Sequence, residues 1–426
     1  HMHEKEAATE KAKDLLRMAV AKANRLAPLT DQTIPVVPKG LVIGGGVAGM
    51  TAALELARQG FACALVEKEE ELGGNFNTIH FTLDGSDPHH YLEDLKRNVK
   101  DHELITVHTK TEIGSISGYI GNFKTSLISR NGKEADPLEI EHGVIIVATG
   151  GAEYQPAEYL YGQNERVRTQ SELEEKMFAD PAEISTLKQV VMIQCVGSRE
   201  KERLYCSKLC CSKAIKNALK IKELNPACEV AILYRDIRTY GFREDFYSKA
   251  REAGVLFIHY EPDNKPEVTQ DDGTLSISVT DPLLEEQVKL NPDLLVLSPA
   301  IVSRGNEELS RLLKLPLTQD GFFLEAHAKL RPVDFAVDGI FLCGLAHFPK
   351  PVDESIAQAA AASARAAIPL AKGKVDVEPI VSSVEQADCF GCGICEYLCP
   401  YNAIRVVETP EGKKAETISA SCKGCG

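Results

Sequence analysis

The sequence predicts an α/β protein with two Rossmann-like domains, followed by a small α+β module. A strand, a glycine-rich turn and a helix follow one another over residues 41–68. A second strand–loop–helix–strand unit spans 188–237, and four cysteines crowd into 389–399. Strands that alternate with helices in this way form parallel sheets, and the cysteine run marks a small separate module.

The composition is that of an ordinary globular chain. It has 426 residues, 44% hydrophobic and 26% charged, which is enough for two or three domains. The net charge of −14 argues against non-specific binding to nucleic acid or anionic membranes, because both need basic surface. No apolar run approaches the roughly 20 residues that span a bilayer. Without a signal-peptide pattern we expect a cytoplasmic, reducing location, where thirteen cysteines favour metal ligation over disulfides.

The elements are expected in the following order. The dipeptide at residues 1–2 resembles a cloning remnant, and an amphipathic helix over 4–27, with Leu15, Ala19, Ala23 and Leu26 on one face, precedes a linker over 28–40. A small antiparallel insertion is predicted at 105–134, buried strands at 143–151, 293–300 and 339–344, a helix at 353–371 and a linker at 372–384. The predicted domains are 1–36 (helix and linker), 37–160 (first nucleotide-binding part), 161–285 (second Rossmann-like unit), 286–374 (second nucleotide-binding part) and 375–426 (cysteine-rich module).

The first strand–turn–helix has the spacing of a dinucleotide site. Gly44, Gly46 and Gly49 form G-x-G-x-x-G, in which the glycines permit the tight turn, the approach of pyrophosphate and the packing of helix on strand. Glu67 follows 21 residues after Gly46, at the end of the next strand, where a carboxylate can bind ribose hydroxyls. The alternative is a plain tight turn, which the complete βαβ context makes less attractive.

Three further motifs favour FAD over NAD. "ELGGN" at 71–75, "VIIVATGG" at 144–151 and "GIFLCG" at 339–344 before a helix resemble the thioredoxin-reductase-like members of the two-dinucleotide-binding flavoproteins. Leu345 stands where that superfamily usually has an acidic residue, so the ribityl contact lacks its usual side chain. The cofactor-binding residues implied are Gly44, Gly46, Val47, Ala48, Gly49, Glu67, Lys68, Gly73, Gly74, Asn75, Ala148, Thr149, Gly150, Gly344, Ser355 and Ile356.

The second Rossmann-like unit carries thiols where a nicotinamide nucleotide would bind. Only Gly197 remains of a glycine-rich turn, and the side chains over 199–201 would block pyrophosphate. Four cysteines follow the strand: Cys195, Cys206, Cys210 and Cys211. Their irregular spacing leaves three interpretations open: ligands of a [4Fe–4S] cluster, a redox disulfide between Cys206 and Cys210, or inert buried cysteines.

This segment resembles the A-subunit family of heterodisulfide reductases. "CVGSRE" at 195–200, "YCSKLCCSKAIKNA" at 205–218 and "ILYRDIRTYG" at 232–241 carry the resemblance, which extends over nearly all of 4–426. It implies that all four cysteines ligate a [4Fe–4S] cluster. It also implies that Lys216 acts near the flavin, where a cation stabilises the reduced, anionic form; the alternative is a solvated helix lysine. Because the family extends beyond both ends of this chain, we expect a truncated core.

The C-terminal module has the bacterial ferredoxin pattern. C-x₂-C-x₂-C-x₃-C-P begins at Cys389, and its fourth cysteine ligates the other cluster in two-cluster ferredoxins. A second run, "CKGCG" at 422–426, contributes two cysteines. One predicted cluster uses Cys389, Cys392 and Cys395, the other Cys399, Cys422 and Cys425, and each lacks one thiol. Zinc is the alternative metal.

Three functions are compatible with these motifs. The favoured one is an oxidoreductase: an FAD- and iron–sulfur-containing electron-transfer subunit. The resemblance implies three kinds of partner: other heterodisulfide reductase subunits, a hydrogenase or formate dehydrogenase module, and ferredoxin. It also implies electron bifurcation at the flavin. Whether the subunit forms a homodimer is left open by the sequence. A stand-alone NAD(P)H-dependent disulfide oxidoreductase would need a cysteine pair that 72–82 lacks. A scaffold with vestigial FAD is the third.

The remaining cysteines and histidines have plainer interpretations. Cys63 and Cys343 lie in apolar strand patterns and are expected in the core. His89, His90 and His347 lack ligand spacing and are expected to be surface or hydrogen-bonded side chains, although His347 follows the third flavin motif closely enough to contact FAD.

Overall fold

The computed structural model describes residues 4–26, 29, 32–130, 137–282, 284–377 and 379–425. Three parts of these expectations lie outside the described residues: residues 1–2, residue 27 of the predicted helix and residues 131–134 of the predicted insertion. Contacts divide the chain into two compact units, His1–Ile34 with Asp376–Gly426, and Pro35–Val375. The finer domain limits proposed above stay predictions.

The helices and strands are numbered in chain order within the described residues. The helices are α1 (Lys5–Ala23), α2 (Val47–Arg58), α3 (Pro88–Asp101), α4 (Gln170–Ala179), α5 (Pro181–Thr186), α6 (Cys210–Leu224), α7 (Glu244–Glu252), α8 (Glu307–Leu313), α9 (Val352–Lys372) and α10 (Ile394–Leu398). The strands are β1 (Gln32–Pro35), β2 (Lys39–Ile43), β3 (Ala62–Val66), β4 (Ile105–His108), β5 (Thr111–Tyr119), β6 (Asn122–Ser129), β7 (Leu138–His142), β8 (Val144–Val147), β9 (Gly151–Glu153), β10 (Val167–Thr169), β11 (Gln189–Val196), β12 (Glu229–Tyr234), β13 (Leu256–His259), β14 (Glu267–Asp271), β15 (Thr274–Asp281), β16 (Glu286–Leu290), β17 (Leu294–Pro299), β18 (Ile301–Ser303), β19 (Ile340–Leu342), β20 (Lys374–Val377), β21 (Ile404–Thr409) and β22 (Gly412–Thr417).

The first Rossmann-like sheet of the larger unit confirms the predicted α/β class. Its strand order is β4-β3-β2-β8-β19, and every pair is parallel. The strands are apolar on both faces because both faces are covered. Helices α2 and α9 pack on one face, and Phe123, Leu127 and Ile140 of β6 and β7 pack on the other. α2 and α9 pack together through alanines, and Ser363 of α9 donates a hydrogen bond to the carbonyl of Ala52 in α2 (3.0 Å). The predicted antiparallel insertion forms as β5-β6-β7.

The second sheet has the order β10-β17-β11-β12-β13, again wholly parallel. α6 packs its buried face, including Ala214, Ile215 and Ala218, against β11 and β17. An antiparallel sheet, β14-β15-β16, follows β13 along the chain. β9, which follows β8, pairs antiparallel with β18, which follows β17. The segments that leave the two parallel sheets are therefore hydrogen-bonded to each other. The predicted strands at 143–151, 293–300 and 339–344 are confirmed as β8, β17 and β19.

The smaller unit contains α1 and the cysteine-rich module. α1 has no buried residue, and Leu15 on its predicted apolar face is 55% exposed. In the module, α10 packs against β21, which forms a hairpin with β22. The segment 372–384 was expected to be a plain linker; it contains β20, so that expectation was wrong for residues 374–377.

Candidate functional site

The glycine-rich turn joins β2 to α2 with open space at the helix N-terminus. An added Cβ at Gly44, whose φ is +111°, would lie 2.3 Å from the Ala148 carbonyl oxygen, and one at Gly49 would lie 1.8 Å from the Gly44 oxygen. These glycines therefore let β2, α2 and β8 approach one another. At Gly46, the N-cap of α2, an added Cβ would meet nothing within 4 Å. The free space at the N-terminus, with its unpaired N–H groups, suits a phosphate.

The other predicted flavin motifs converge on this turn. Gly73 forms a parallel bridge with Gly46. The Asn75 side-chain amide donates to the Gly151 carbonyl (2.8 Å), which ties "ELGGN" to the start of β9. An added Cβ at Gly344 would lie 2.8 Å from Cβ of Ala48, so the third motif also reaches α2. Motifs that are far apart in the sequence thus surround one helix N-terminus.

The remaining predicted cofactor residues have more varied environments. Thr149 donates its hydroxyl to the Asn306 side chain (3.0 Å), and an added Cβ at Gly150 would meet open space. Ser355 is buried and donates to the Pro351 carbonyl (3.1 Å). The others lie on or beside the turn: Val47 is buried, Gly74 lies against Gly46, and Lys68 and Ile356 are half-buried.

Glu67 is aimed at the turn from the end of β3. Its Oε2 accepts a hydrogen bond from the main-chain N–H of Gly45 (2.6 Å), and its Oε1 accepts from Glu69 (2.8 Å). The carboxylate is buried. Each oxygen retains a further acceptor site, so the carboxylate can still bind the hydroxyls of a ribose. The residues around the turn therefore fit FAD, whose flavin would supply two-electron chemistry.

The four thiols of the second unit come from the end of β11, a loop and the start of α6. Cys195 adopts a left-handed φ of +62° where the β11–β17 register shifts. The Sγ of Cys206 accepts a hydrogen bond from the N–H of Lys208 (3.3 Å). Cys210 and Cys211 occupy the first turn of α6. The four sulfurs are close enough for each to affect the charge state of its neighbours.

Burial and nearby cations act on these thiols in opposite directions. Burial raises the pKa of the Cys195 thiol, raises that of Cys210 well above its usual range and raises that of Cys211 to about 12. Arg199 and Arg235 lower the pKa of Cys195, and Arg238 lowers that of Cys211. Cysteine ligands bind metal as thiolates, so loading would release protons and leave negative charge that these guanidinium groups offset.

No three Cys, His, Asp or Glu side chains in the described part of the chain converge as a site for a single metal ion. All thirteen cysteines are free. A four-iron cluster is larger than one ion, so its thiolates lie further apart than the ligands of zinc. Four neighbouring thiols with Arg199, Arg235 and Arg238 beside them are compatible with a [4Fe–4S] cluster, which takes four thiolate ligands.

The turn that would bind NAD(P) in this unit is closed. Gly197 has a φ of +68°, and an added Cβ there would lie 2.4 Å from the ring of Tyr154. The guanidinium of Arg203 stacks on the same ring, 4.4 Å from its centroid. Tyr154 and Arg203 therefore fill the space that a pyrophosphate would need.

Arg235, which sequence reasoning missed, holds the thiol-bearing loop. Its side chain is buried and donates to the Arg199 carbonyl (2.8 Å) while pairing with Glu200. Lys265 also pairs with Glu200 (2.5 Å). These contacts join segments that are distant in the sequence, and no local spacing indicates them.

Lys216 is buried rather than solvated. Its ammonium donates to Glu174 Oε1 (2.7 Å) and to the Phe81 carbonyl (2.6 Å), and it lies 4.5 Å from the centroid of the Phe81 ring. Burial lowers the pKa of Lys216 despite the opposing effect of Glu174. One turn earlier, Lys213 lies 3.5 Å from Glu153 on β9. This face of α6 thus contacts the segments that follow two flavin motifs.

A second buried lysine, Lys350, was not predicted. Its ammonium donates to the carbonyls of Gly344 (2.6 Å) and Phe348 (2.8 Å), directly before α9. Burial lowers the pKa of Lys350 to about 8. His347, considered above as an FAD contact, is held between Glu325 (2.9 Å) and Gln358 (2.8 Å). A lone lysine after a strand has no distinguishing pattern, which is why the sequence did not reveal it.

The ferredoxin-like module presents its cysteines to main-chain N–H groups. The sulfurs of Cys389, Cys399 and Cys422 accept from Ala415 (3.2 Å), Ala403 (3.3 Å) and Ser382 (3.2 Å), respectively. Hydrogen bonds from Ala415 and Gly391 lower the pKa of the Cys389 thiol. Such contacts stabilise thiolates, as cluster ligands require. Cys395 lies in α10, and Cys392 and Cys425 are exposed.

Comparison with known proteins identifies the family. Residues 42–96 match the NAD(P)-binding Rossmann-like domain, and residues 383–405 match the 4Fe-4S binding domain. The chain is 35% identical to the A subunit of the H(2):CoB-CoM heterodisulfide,ferredoxin reductase of Methanothermobacter thermautotrophicus, covering 96% of this chain and 75% of the relative. The chain belongs to the A-subunit family of heterodisulfide reductases.

Another member of the A-subunit family comes from the H(2)/formate:CoB-CoM heterodisulfide,ferredoxin reductase of Methanococcus maripaludis. It is 31% identical over 96% of this chain and 76% of its own length. The thioredoxin reductase of Lactococcus lactis shares the fold, with a TM-score of 0.54 at 18% identity, over 79% of this chain and 100% of that one. This member of the family is therefore an oxidoreductase with a thioredoxin-reductase-like core and a 4Fe–4S-binding module. Within the described residues, every helix is too short or too polar to cross a bilayer.

Proposed function

We propose that this chain is the FAD- and [4Fe–4S]-containing electron-transfer subunit of a heterodisulfide reductase-type complex. FAD is held at the N-terminus of α2, and Cys195, Cys206, Cys210 and Cys211 hold one cluster. The observation that supports this most strongly is the position of the thiol-bearing loop. The loop lies where a second nucleotide would bind, and Tyr154 closes that turn, whereas the first turn, at Gly46, remains open. Electrons that a thioredoxin reductase would take from a nicotinamide would here be exchanged with an iron–sulfur centre.

Direct contacts between the two sites support this proposal. Tyr205, in the thiol-bearing loop, packs edge-on against Phe348, with ring centroids 5.5 Å apart. Lys208 lies 3.6 Å from Glu354 in the first turn of α9. The segment from Gly344 to α9 therefore contacts both the nucleotide turn and the thiol-bearing loop. These contacts bring the proposed flavin site, which exchanges two electrons, next to the proposed cluster site, which exchanges one electron at a time.

The wider assignment rests on the relatives. Their names contain hydrogen or formate as donors and ferredoxin and the CoB–CoM heterodisulfide as further reactants. We propose that this chain likewise works with other heterodisulfide reductase subunits and a hydrogenase or formate dehydrogenase module in the cytoplasm. Its flavin would then divide electron pairs between ferredoxin and the heterodisulfide.

Iron analysis tests the core cluster. Iron and acid-labile sulfide are measured in anaerobically purified protein and in Cys210→Ser, with Cys228→Ser as the matched control because Cys228 is buried among apolar side chains of the same unit. We expect Cys210→Ser to lose about four iron atoms per chain, the content of one such cluster, and Cys228→Ser to lose none. Equal iron in all three proteins would contradict the cluster.

A nicotinamide test addresses the absence of a second nucleotide site. NADPH is mixed anaerobically with the FAD-loaded protein, and flavin absorbance is followed. We expect no rapid bleaching, because Tyr154 closes the second turn. Stoichiometric reduction within seconds would instead support the stand-alone NAD(P)H-dependent disulfide oxidoreductase.

A further inference from the structure

A line of polar groups runs from the buried Lys216 to the protein surface. The Lys216 ammonium lies 2.7 Å from Glu174 Oε1. The same oxygen accepts a hydrogen bond from the main-chain N–H of His80 (2.9 Å). The Nε2 atom of the His80 ring lies 2.6 Å from Glu175 Oε2. Side-chain contacts therefore join Lys216 to Glu174 and His80 to Glu175, and the main-chain N–H of His80 connects the two pairs.

Burial falls steeply along this line. The side chains of Lys216, Glu174 and His80 are 9%, 0% and 8% exposed, whereas Glu175 is 62% exposed. The His80 ring is stacked on Phe178 with centroids 4.1 Å apart, which fixes its plane. The line therefore joins the interior to solvent through one held imidazole.

Two atoms along the line are buried and have no hydrogen-bond partner in the described part of the chain: Glu174 Oε2 and His80 Nδ1. The contact that joins Glu174 to His80 is made by the main-chain N–H, which does not relay protons, so a proton would pass between the two side chains through these two atoms. A carboxylate with a free oxygen and an imidazole with a free nitrogen can each take up and release a proton. Imidazole is suited to this because it can accept at one nitrogen while it donates from the other.

We propose that Glu174, a water between Glu174 Oε2 and His80 Nδ1, His80 and Glu175 form a proton path between the Lys216 ammonium and solvent. The proposal rests on the proposed function and on the position of Lys216 near the flavin that the family resemblance implies. Each proton that leaves Lys216 is replaced by one from Glu174, which is restored through His80 and Glu175 from water. Charge and atoms balance without any oxidant or reductant, since no electron moves on the path. Reduction of a flavin by two electrons consumes protons, and iron–sulfur centres supply only electrons.

Other charged groups face the path. Lys213 lowers the pKa of Lys216 from the preceding turn of α6. The His89 ring on α3 lies 5.5 Å from that of His80 and also has a buried Nε2 without a partner among the described residues. The Lys213 side chain is less exposed than that of Glu175. Glu175 is therefore the solvent end of the path, and substitution of His80 separates it from Glu174.

The test measures proton uptake rather than turnover. The FAD-loaded chain is photoreduced anaerobically in weak buffer, and a pH-indicator dye and flavin absorbance are recorded together. His80→Gln keeps a hydrogen-bonding side chain but cannot relay a proton. We expect its proton uptake to slow by at least about tenfold, because positioned proton transfer contributes about 10²–10⁴-fold. Flavin content and equilibrium midpoint potential should match the unsubstituted protein, and His90→Gln, which alters an exposed ring on α3, should change nothing.

Chemical rescue separates relay from structural damage. Imidazole added to His80→Ala should restore much of the lost rate, whereas a merely structural role would leave it slow. Unchanged uptake in both His80 variants, with normal uptake in the unsubstituted protein, would overturn the path and leave the proposed function intact. If Lys216→Met also takes up protons at the normal rate, the placement of the flavin beside Lys216 is wrong instead.

Discussion

Gly46 and Gly49 lie three residues apart in one turn, yet the structure gives them different roles. An added Cβ meets open space at Gly46 and a carbonyl oxygen at Gly49. Gly46 also has a negative φ of −71°, which alanine can adopt. One glycine therefore preserves room for a ligand, and the other preserves the packing of α2 on β2.

This difference predicts opposite results for two alanine variants. Gly46→Ala should weaken FAD binding by more than tenfold while changing the free energy of unfolding by less than about 1 kcal/mol. Gly49→Ala should destabilise the apoprotein by several kcal/mol, since backbone must move. Flavin titration and urea unfolding of the apoproteins measure the two effects. A stable Gly49→Ala protein, or a Gly46→Ala protein that binds FAD normally, would contradict the assignment.

Lys350 gives a prediction about pH. Its folded pKa of about 8 lies below the ordinary lysine value of 10.5, so between these values the unfolded chain holds the proton that the folded protein has lost. Stability contributed by this group therefore rises with pH through that window. Relative to Lys350→Met, the protein should gain on the order of 3 kcal/mol from pH 8 to 10.5. Urea unfolding at both pH values measures this difference; a constant difference would show that the lysine is solvated.

At the residue scale, the motif glycines and the cysteines of the C-terminal module were predictable because their chemistry depends on local spacing, whereas the irregular spacing of the four core cysteines left alternatives open. Lys350, Glu174 and Arg235 were not, because each is defined by contacts with distant segments. A sequence shows that a lysine exists, but only packing shows that it is buried.

The element that matters most is the loop between β11 and α6. Its strand and helix followed from the βαβ pattern, whereas the left-handed conformation of Cys195 and the anchoring of the loop did not. Arg199 and Lys208 also have positive φ, at 57° and 60°. Backbone of this kind persists only where surrounding contacts impose it, and it concentrates at functional sites.

The anchoring role of Arg235 can be tested by a conservative change. Arg235→Lys keeps the charge but loses the planar fork that reaches both the Arg199 carbonyl and Glu200. We expect iron content to fall and the free energy of unfolding to fall by about 1–3 kcal/mol. Arg166→Lys, an exposed substitution in the same compact unit, is the control and should change neither. Full iron content in Arg235→Lys would show that the loop holds its shape without this anchor.

For the whole molecule, the sequence predicted the class of fold and the 4Fe–4S-binding module, since βαβ alternation and C-x₂-C-x₂-C spacing are local. It did not predict that the N-terminal helix α1 would belong to the compact unit that contains the module. That assignment depends on contacts between the two ends of the chain.

The division into units predicts that the two proposed cluster sites are loaded independently. Cys392 is exposed in the smaller unit. Cys392→Ser should lower the total iron content while leaving FAD content and the unfolding of the larger unit unchanged. Iron analysis, flavin absorbance and circular dichroism check this. Loss of flavin in this variant would show that the module supports the core.

The central claim is that single electrons pass between the flavin and the four-thiol site. Rapid anaerobic photoreduction of the flavin, followed by freezing at successive times and electron paramagnetic resonance, tests it directly. We predict that a reduced [4Fe–4S] signal grows as reduced flavin decays, in Cys392→Ser as in the unsubstituted protein, and that Cys210→Ser lacks this signal. Reduced flavin that persists without any cluster signal would contradict the account.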